Sequence, residues 1–147
     1  MGECALRIVL HRYIPEDPHL KLQWNNLVER MERPEVFYTH EWAWAMQQAY
    51  GSSVIPFLVL AYEEDALLGV ASLATKAEQR NVTFLAATTA DYCEFLCDAS
   101  HVETFVEGVF SELARARIQR VELANLPADS PAIEVIRVAA PKHDRVH

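Results

Sequence analysis

Hydrophobic positions change their period twice along this chain. Residues 4–12 (CALRIVLHR) alternate loosely and predict a first strand. Asp17-Pro18 then predicts the start of a helix, with Asp17 as N-cap and Pro18 at the first helical position. Leu20, Trp24, Leu27, Val28 and Met31 follow at helical spacing as one apolar stripe, which Arg33-Pro34 ends. A second helix is predicted from near Thr39. Its apolar face reads as Trp42, Ala45, Met46 and Ala49, and Gly51 stands where a C-terminal cap belongs.

The period then shortens towards two. Residues 54–62 and 67–76 read as strands joined by a turn at Glu63-Glu64-Asp65-Ala66. Residues 81–86 and 93–97 extend this into a meander. Ser100-His101-Val102-Glu103 has the form of a capping box. Behind it Val102, Phe105, Val106, Val109, Phe110 and Leu113 share one helical face. Residues 119–125 predict a further strand. Ser130-Pro131 starts a last helix that Pro141 is expected to cut short, leaving 141–147 as an unstructured tail. The order β-α-α-β-β-β-β-α-β-α predicts an α/β fold of the α+β type. Helices flank a mixed, largely antiparallel central sheet, in one domain over residues 1–140.

A chain of 147 residues, 51% hydrophobic and 23% charged, is long enough for one buried core. The net charge of −8 argues against nucleic acid, whose phosphates demand a basic footprint, and against an anionic membrane surface. No apolar run approaches the roughly 20 residues of a membrane helix. Glu3, Arg7 and His11 interrupt the N-terminal apolar stretch, so no secretory signal is read there. Leu6 breaks the myristoylation pattern that Gly2 would open. Three cysteines make no disulfide framework, and a cytoplasmic location is expected.

Four segments resemble one family. Phe37-Tyr38-Thr39-His40-Glu41-Trp42, Leu67-Leu68-Gly69-Val70-Ala71-Ser72-Leu73, Ala90-Asp91-Tyr92-Cys93-Glu94-Phe95 and Leu126-Pro127-Ala128-Asp129-Ser130-Pro131 occur in that order. Together with the element order they resemble the FemAB-like branch of the GNAT acyltransferases, which includes proteins of polysaccharide biosynthesis. The similarity spans about residues 20–138.

Proteins of this branch usually carry two GNAT-like halves, and this chain resembles the first. The resemblance implies an acyl- or aminoacyl-transferase whose N-terminal half shapes the cleft for a small-molecule or glycan-precursor acceptor. It implies a second GNAT-like half, or a homodimer partner, packed beside it. GNAT enzymes hold the pyrophosphate of acyl-CoA on a Gln/Arg-x-x-Gly-x-Gly/Ala loop at a helix N-terminus. Here the four glycines, at 2, 51, 69 and 108, lie far apart, and Gln79-Arg80 runs on into Asn81-Val82. No cofactor site is therefore expected in this chain. Acyl-CoA, or an aminoacyl donor, would bind only where a second half supplies the site, and the isolated chain is expected to be inactive. The alternative is a non-catalytic binding or dimerisation module.

Asp91 and Tyr92 fit a substrate contact, with Asp as acceptor or base and Tyr as donor. They equally fit an Asx turn and a ring covering the sheet edge. Asp129 and Ser130 fit either a second wall of the same cleft or a plain helix cap. Trp44 lies off the apolar face of its helix and is free for a ligand or a partner domain. Trp24 and Trp42 fall on helix stripes and are expected in the core. Cys93 and Cys97 read as core thiols, because no paired Cys-x-x-Cys provides a metal set. The scattered histidines, His143 and His147 included, are read as solvated. The catalytic residues are not assigned.

Overall fold

The computed structural model describes residues 6–76 and 80–143. Cys4 of the first predicted strand, Gln79 and the tail from 144 to His147 lie outside the described residues. The observed elements are β1 (Arg7–His11), α1 (Pro18–Glu29), α2 (His40–Tyr50), β2 (Val54–Glu63), β3 (Ala66–Lys76), β4 (Asn81–Phe84), β5 (Leu96–Cys97), α3 (Val102–Arg115), β6 (Arg120–Glu122) and α4 (Ala132–His143). The class is the expected one: an open, mostly antiparallel sheet with helices on both faces.

The sheet runs β1-β2-β3-β4-β6, with β5 also paired to β3. Every pairing is antiparallel except β4 with β6, which the α3 crossover makes parallel. β2 sits between neighbours and is covered on both faces, which explains its unbroken apolar run. Phe57, Val59 and Ala61 turn towards α3 and α4, while Leu58 and Leu60 turn towards α1 and α2. Pro56 is tolerated inside β2 because β1 ends opposite Leu58, so no neighbouring carbonyl awaits the missing N–H.

Asp17 caps α1 by accepting from the N–H groups of His19 and Leu20, and Leu20, Trp24, Leu27 and Val28 are buried as the stripe predicts. The α2 face differs from the expected one. His40, Ala43 and Met46 are buried, whereas Ala45 and Ala49 are exposed. Polar side chains set this rotation. His40 Nε2 lies 2.7 Å from the Pro15 carbonyl oxygen, and the Gln47 amide bonds both main-chain groups of Ile14. A reading by hydrophobicity passes over both residues.

Two helix ends also differ. The capping box does not form. A 3-10 turn over Ala99–His101 feeds α3, with His101 at the N-cap and Ser100 Oγ beside His101 Nδ1 at 3.2 Å. Ser100 sits inside that turn, one position too early to reach the helix amides. At the other end of the chain, α4 continues through Pro141 to His143, so residues 141–143 are helical. Proline there removes one hydrogen bond in the last turn without stopping it.

Gly51 follows α2 at φ −61°, so it is no left-handed cap. Gly69 does have a packing role: a Cβ there would stand 2.8 Å from the Phe105 ring of α3. No helix among the described residues is long and apolar enough to cross a membrane.

Candidate functional site

The edge of β3 is used twice, and the gap makes the site. Leu73, Ala74 and Thr75 pair with β4, and Gly69 and Val70 pair with β5. Between these pairings the chain leaves the sheet and returns, carrying Asp91, Tyr92 and Glu94 on the excursion.

Asn125 ties this loop to the segment after β6. Its Nδ2 donates to the Ala87 carbonyl at 3.0 Å and to the Ala90 carbonyl at 3.1 Å. Its own carbonyl accepts from the Cys93 N–H at 3.0 Å. Asn125 holds φ 68°, the left-handed region that Asn tolerates better than most residues. Past it, Ser130 Oγ donates to Glu94 Oε1 at 2.8 Å and accepts from the Ala132 N–H at 3.1 Å. Ser130 therefore does both jobs that the sequence allowed: it caps α4 and joins the two loops.

The joined loops face the end of α1 across a cleft of about 420 Å³. Tyr92, Asp129 and Ser130 line it, together with Tyr38 and Glu94. Asp91 is exposed and does not line it. Trp44 is elsewhere, half-buried at a second cavity of about 330 Å³ beside Glu16, Asp17 and His40. The structure thus brings together three of the five residues read as substrate contacts. Tyr92, with a relative exposure of 46%, stands at the mouth. Asp129 pairs with Arg33 at 3.1 Å on the exposed rim.

Glu94 and Tyr38 are the groups that the sequence did not single out. Glu94 Oε1 accepts from Ser130 and from the Phe95 N–H at 3.0 Å, while Oε2 has no partner among the described residues and is not sealed from the cavity. Burial pushes the Glu94 carboxyl above its ordinary 4.5; the bonds from Ser130 and Phe95 pull it back, and the charge of Asp129 adds a smaller upward push. Tyr38 is 7% exposed, its ring buried and its hydroxyl without a partner among the described residues. Burial raises its pKa, and the charges of Glu94 and Glu35 raise it further, so it stays a protonated donor. Behind these two groups lies a recess of about 20 Å³, the room of a single water molecule.

The electrostatics of the cleft are one-sided. Glu32, Glu35, Glu94, Asp98 and Asp129 line it against Arg30 and Arg33, and Arg33 is already paired.

No protein-family model, curated protein or solved structure matches the chain.

Neither described thiol is poised as a nucleophile. Burial pushes Cys93 up to about 11, and burial with the charges of Asp98 and Glu94 pushes Cys97 up to about 12. The described residues also do not suit the pyrophosphate of acyl-CoA. No described glycine has positive φ, and Gly69 and Gly108 are packed against Phe105 and Ile8. Asp98 and Glu103 stand at the N-terminal end of α3, where they oppose an anion.

Proposed function

We propose that this chain is a GNAT-like acyltransferase domain of the FemAB-like kind, an N-terminal half that provides the acceptor cleft of an acyl- or aminoacyl-transferase. The observation that carries the reading is the cleft itself. The Tyr92 loop and the Asp129-Ser130 loop, two of the segments bearing the resemblance, meet there around Glu94. The sheet supports it as well, since strand, two helices, an antiparallel meander, a crossover helix and a strand is the element order of that fold.

The chemistry follows from the lining. Five carboxylates against two guanidinium groups favour a cationic acceptor, and a primary amine fits. A carboxylate raised by burial, with one oxygen open, is suited to taking the proton that an attacking amine must lose. No step is assigned to a donor, because the described residues do not fit acyl-CoA. A second half or a partner copy would supply that site.

Two titrations of the isolated chain test this. n-Propylamine followed by NMR is expected to shift Glu94 and Tyr92, and calorimetry with acetyl-CoA is expected to give no binding heat. Acetyl-CoA binding would return a complete transferase to this chain alone. An amine that leaves Glu94 undisturbed would remove the acceptor reading and favour a non-catalytic binding module.

A further inference from the structure

Two polar groups on the cleft wall have no partner among the described residues, and they are of opposite kind. The Tyr38 hydroxyl belongs to a side chain more than nine-tenths buried, yet no described residue accepts from it. Its tip is not an enclosed orphan, and Tyr38 lines the cleft. A buried tyrosine hydroxyl normally finds an acceptor; a water in the recess serves in the empty cleft, and an oxygen of an entering ligand can take its place. Glu94 Oε2 is the complementary case, an acceptor with no donor among the described residues.

The two groups border the same recess, and Glu94 is the strongest charge acting on Tyr38, yet they do not bond each other. Tyr38 is also held in place from behind. The Trp24 indole N–H donates to its main-chain carbonyl at 2.8 Å, a buried bond that fixes the backbone from which the ring projects.

An ammonium group satisfies Glu94 but has no lone pair for Tyr38. A simple alkylamine therefore leaves the tyrosine unpaired. Building on the acceptor reading above, we propose that the cleft selects a hydroxyl-bearing amine. Its nitrogen binds Glu94 Oε2, and its neighbouring hydroxyl oxygen accepts from Tyr38. Tyr38 is then a specificity-determining residue, since a site built to bond a hydroxyl rejects the analogue that lacks one.

The test compares ethanolamine with n-propylamine, which replaces the hydroxyl by a methyl group at nearly the same size, and with ethylene glycol, which lacks the amine. Dissociation constants come from NMR titration of the chain and of Tyr38→Phe. Ethanolamine is expected to bind about tenfold tighter than n-propylamine, the size of one well-made hydrogen bond. Tyr38→Phe is expected to erase that difference. The Trp24 indole resonance, unmoved in the variant, would show that the segment keeps its place. Ethylene glycol is expected to bind more weakly than either amine.

Equal affinity of ethanolamine and n-propylamine would overturn this proposal and leave the acceptor reading standing, and so would a difference that survives Tyr38→Phe. Binding by neither amine would remove both.

Discussion

Ser130 Oγ lies 2.8 Å from Glu94 Oε1, thirty-six residues away in the chain, and this bond closes the cleft on one side. It is a hydrogen bond to a carboxylate, which is stronger than one between neutral groups. The same oxygen receives the Ala132 N–H, so the start of α4 and the position of Glu94 depend on one hydroxyl.

Ser130→Ala is therefore expected to act twice. Loss of the cap and of the bond to Glu94 should cost about 1–2 kcal/mol in urea unfolding. The Glu94 pKa should rise further, because the Ser130 bond is the largest influence holding it down. A carboxyl-carbon NMR titration reads that shift. An unchanged Glu94 titration would mean that the bond is absent in solution.

Glu94 also ties stability to pH. Its folded pKa lies above the ordinary 4.5, so the folded state holds a proton that the unfolded chain has already released. Its contribution is most favourable at pH values below the unfolded pKa and is lost as pH rises through the folded pKa. Glu94→Gln removes the charge and keeps the shape. The variant is expected to be more stable than the parent at pH 7, with the gap closing towards pH 4. Chemical denaturation across that range measures it, and a gap that widens in acid would contradict the assignment. The stability gained should come with loss of amine binding, as expected of a group kept for function.

Much of the fold was legible because periodicity is local. The α1 stripe, the α3 face and the long hairpin are set by burial of apolar side chains, and each appears where its pattern places it. The α2 face was misread because its buried side includes His40 and Gln47, whose fit depends on carbonyl and amide groups of Pro15 and Ile14. The site was half legible for the same reason. Tyr92, Asp129 and Ser130 sit in loops that announce themselves as polar. Glu94 hides between Cys93 and Phe95, and its one clue is a carboxylate set within an otherwise apolar run. Tyr38 reads as one more aromatic, because its place beside Glu94 comes from the packing of distant segments, with its main-chain carbonyl held by Trp24 of α1.

Gly69 offers a test of the packing beneath the cleft. It pairs with β5 while the Phe105 ring covers it from α3. An added methyl group would meet ring carbons at 2.8 Å, closer than side-chain atoms approach, so the helix or the ring must shift. Gly69→Ala is expected to cost about 1–3 kcal/mol. Phe105→Leu should cost less in the Gly69→Ala background than alone, because the smaller side chain relieves the clash. Strict additivity in a double-mutant cycle would show that the two residues do not share the contact.

Asn125 joins the two loops alongside the Ser130–Glu94 bond, and its two contributions can be separated. One is backbone: at φ 68° an alanine would be strained by about 1–2 kcal/mol, and a glycine would not. The other is the side-chain tether to the Ala87 and Ala90 carbonyls, two neutral bonds worth about 0.5–1.5 kcal/mol each. Asn125→Gly keeps the backbone and loses the tether; Asn125→Ala loses both. The glycine variant should lose about 1–3 kcal/mol, and the alanine variant about 1–2 kcal/mol more. Amine binding separates the variants differently from stability. Both cut the tether that holds the Tyr92 loop against the Ser130 segment, so both should weaken binding alike. Exchange of the Cys93 amide, which donates to the Asn125 carbonyl, should accelerate in each. If Asn125→Gly bound n-propylamine as the parent does, with its Cys93 amide still protected, the loop would be held by the sheet pairings on either side, and the joining role would pass from Asn125 to the Ser130–Glu94 bond alone.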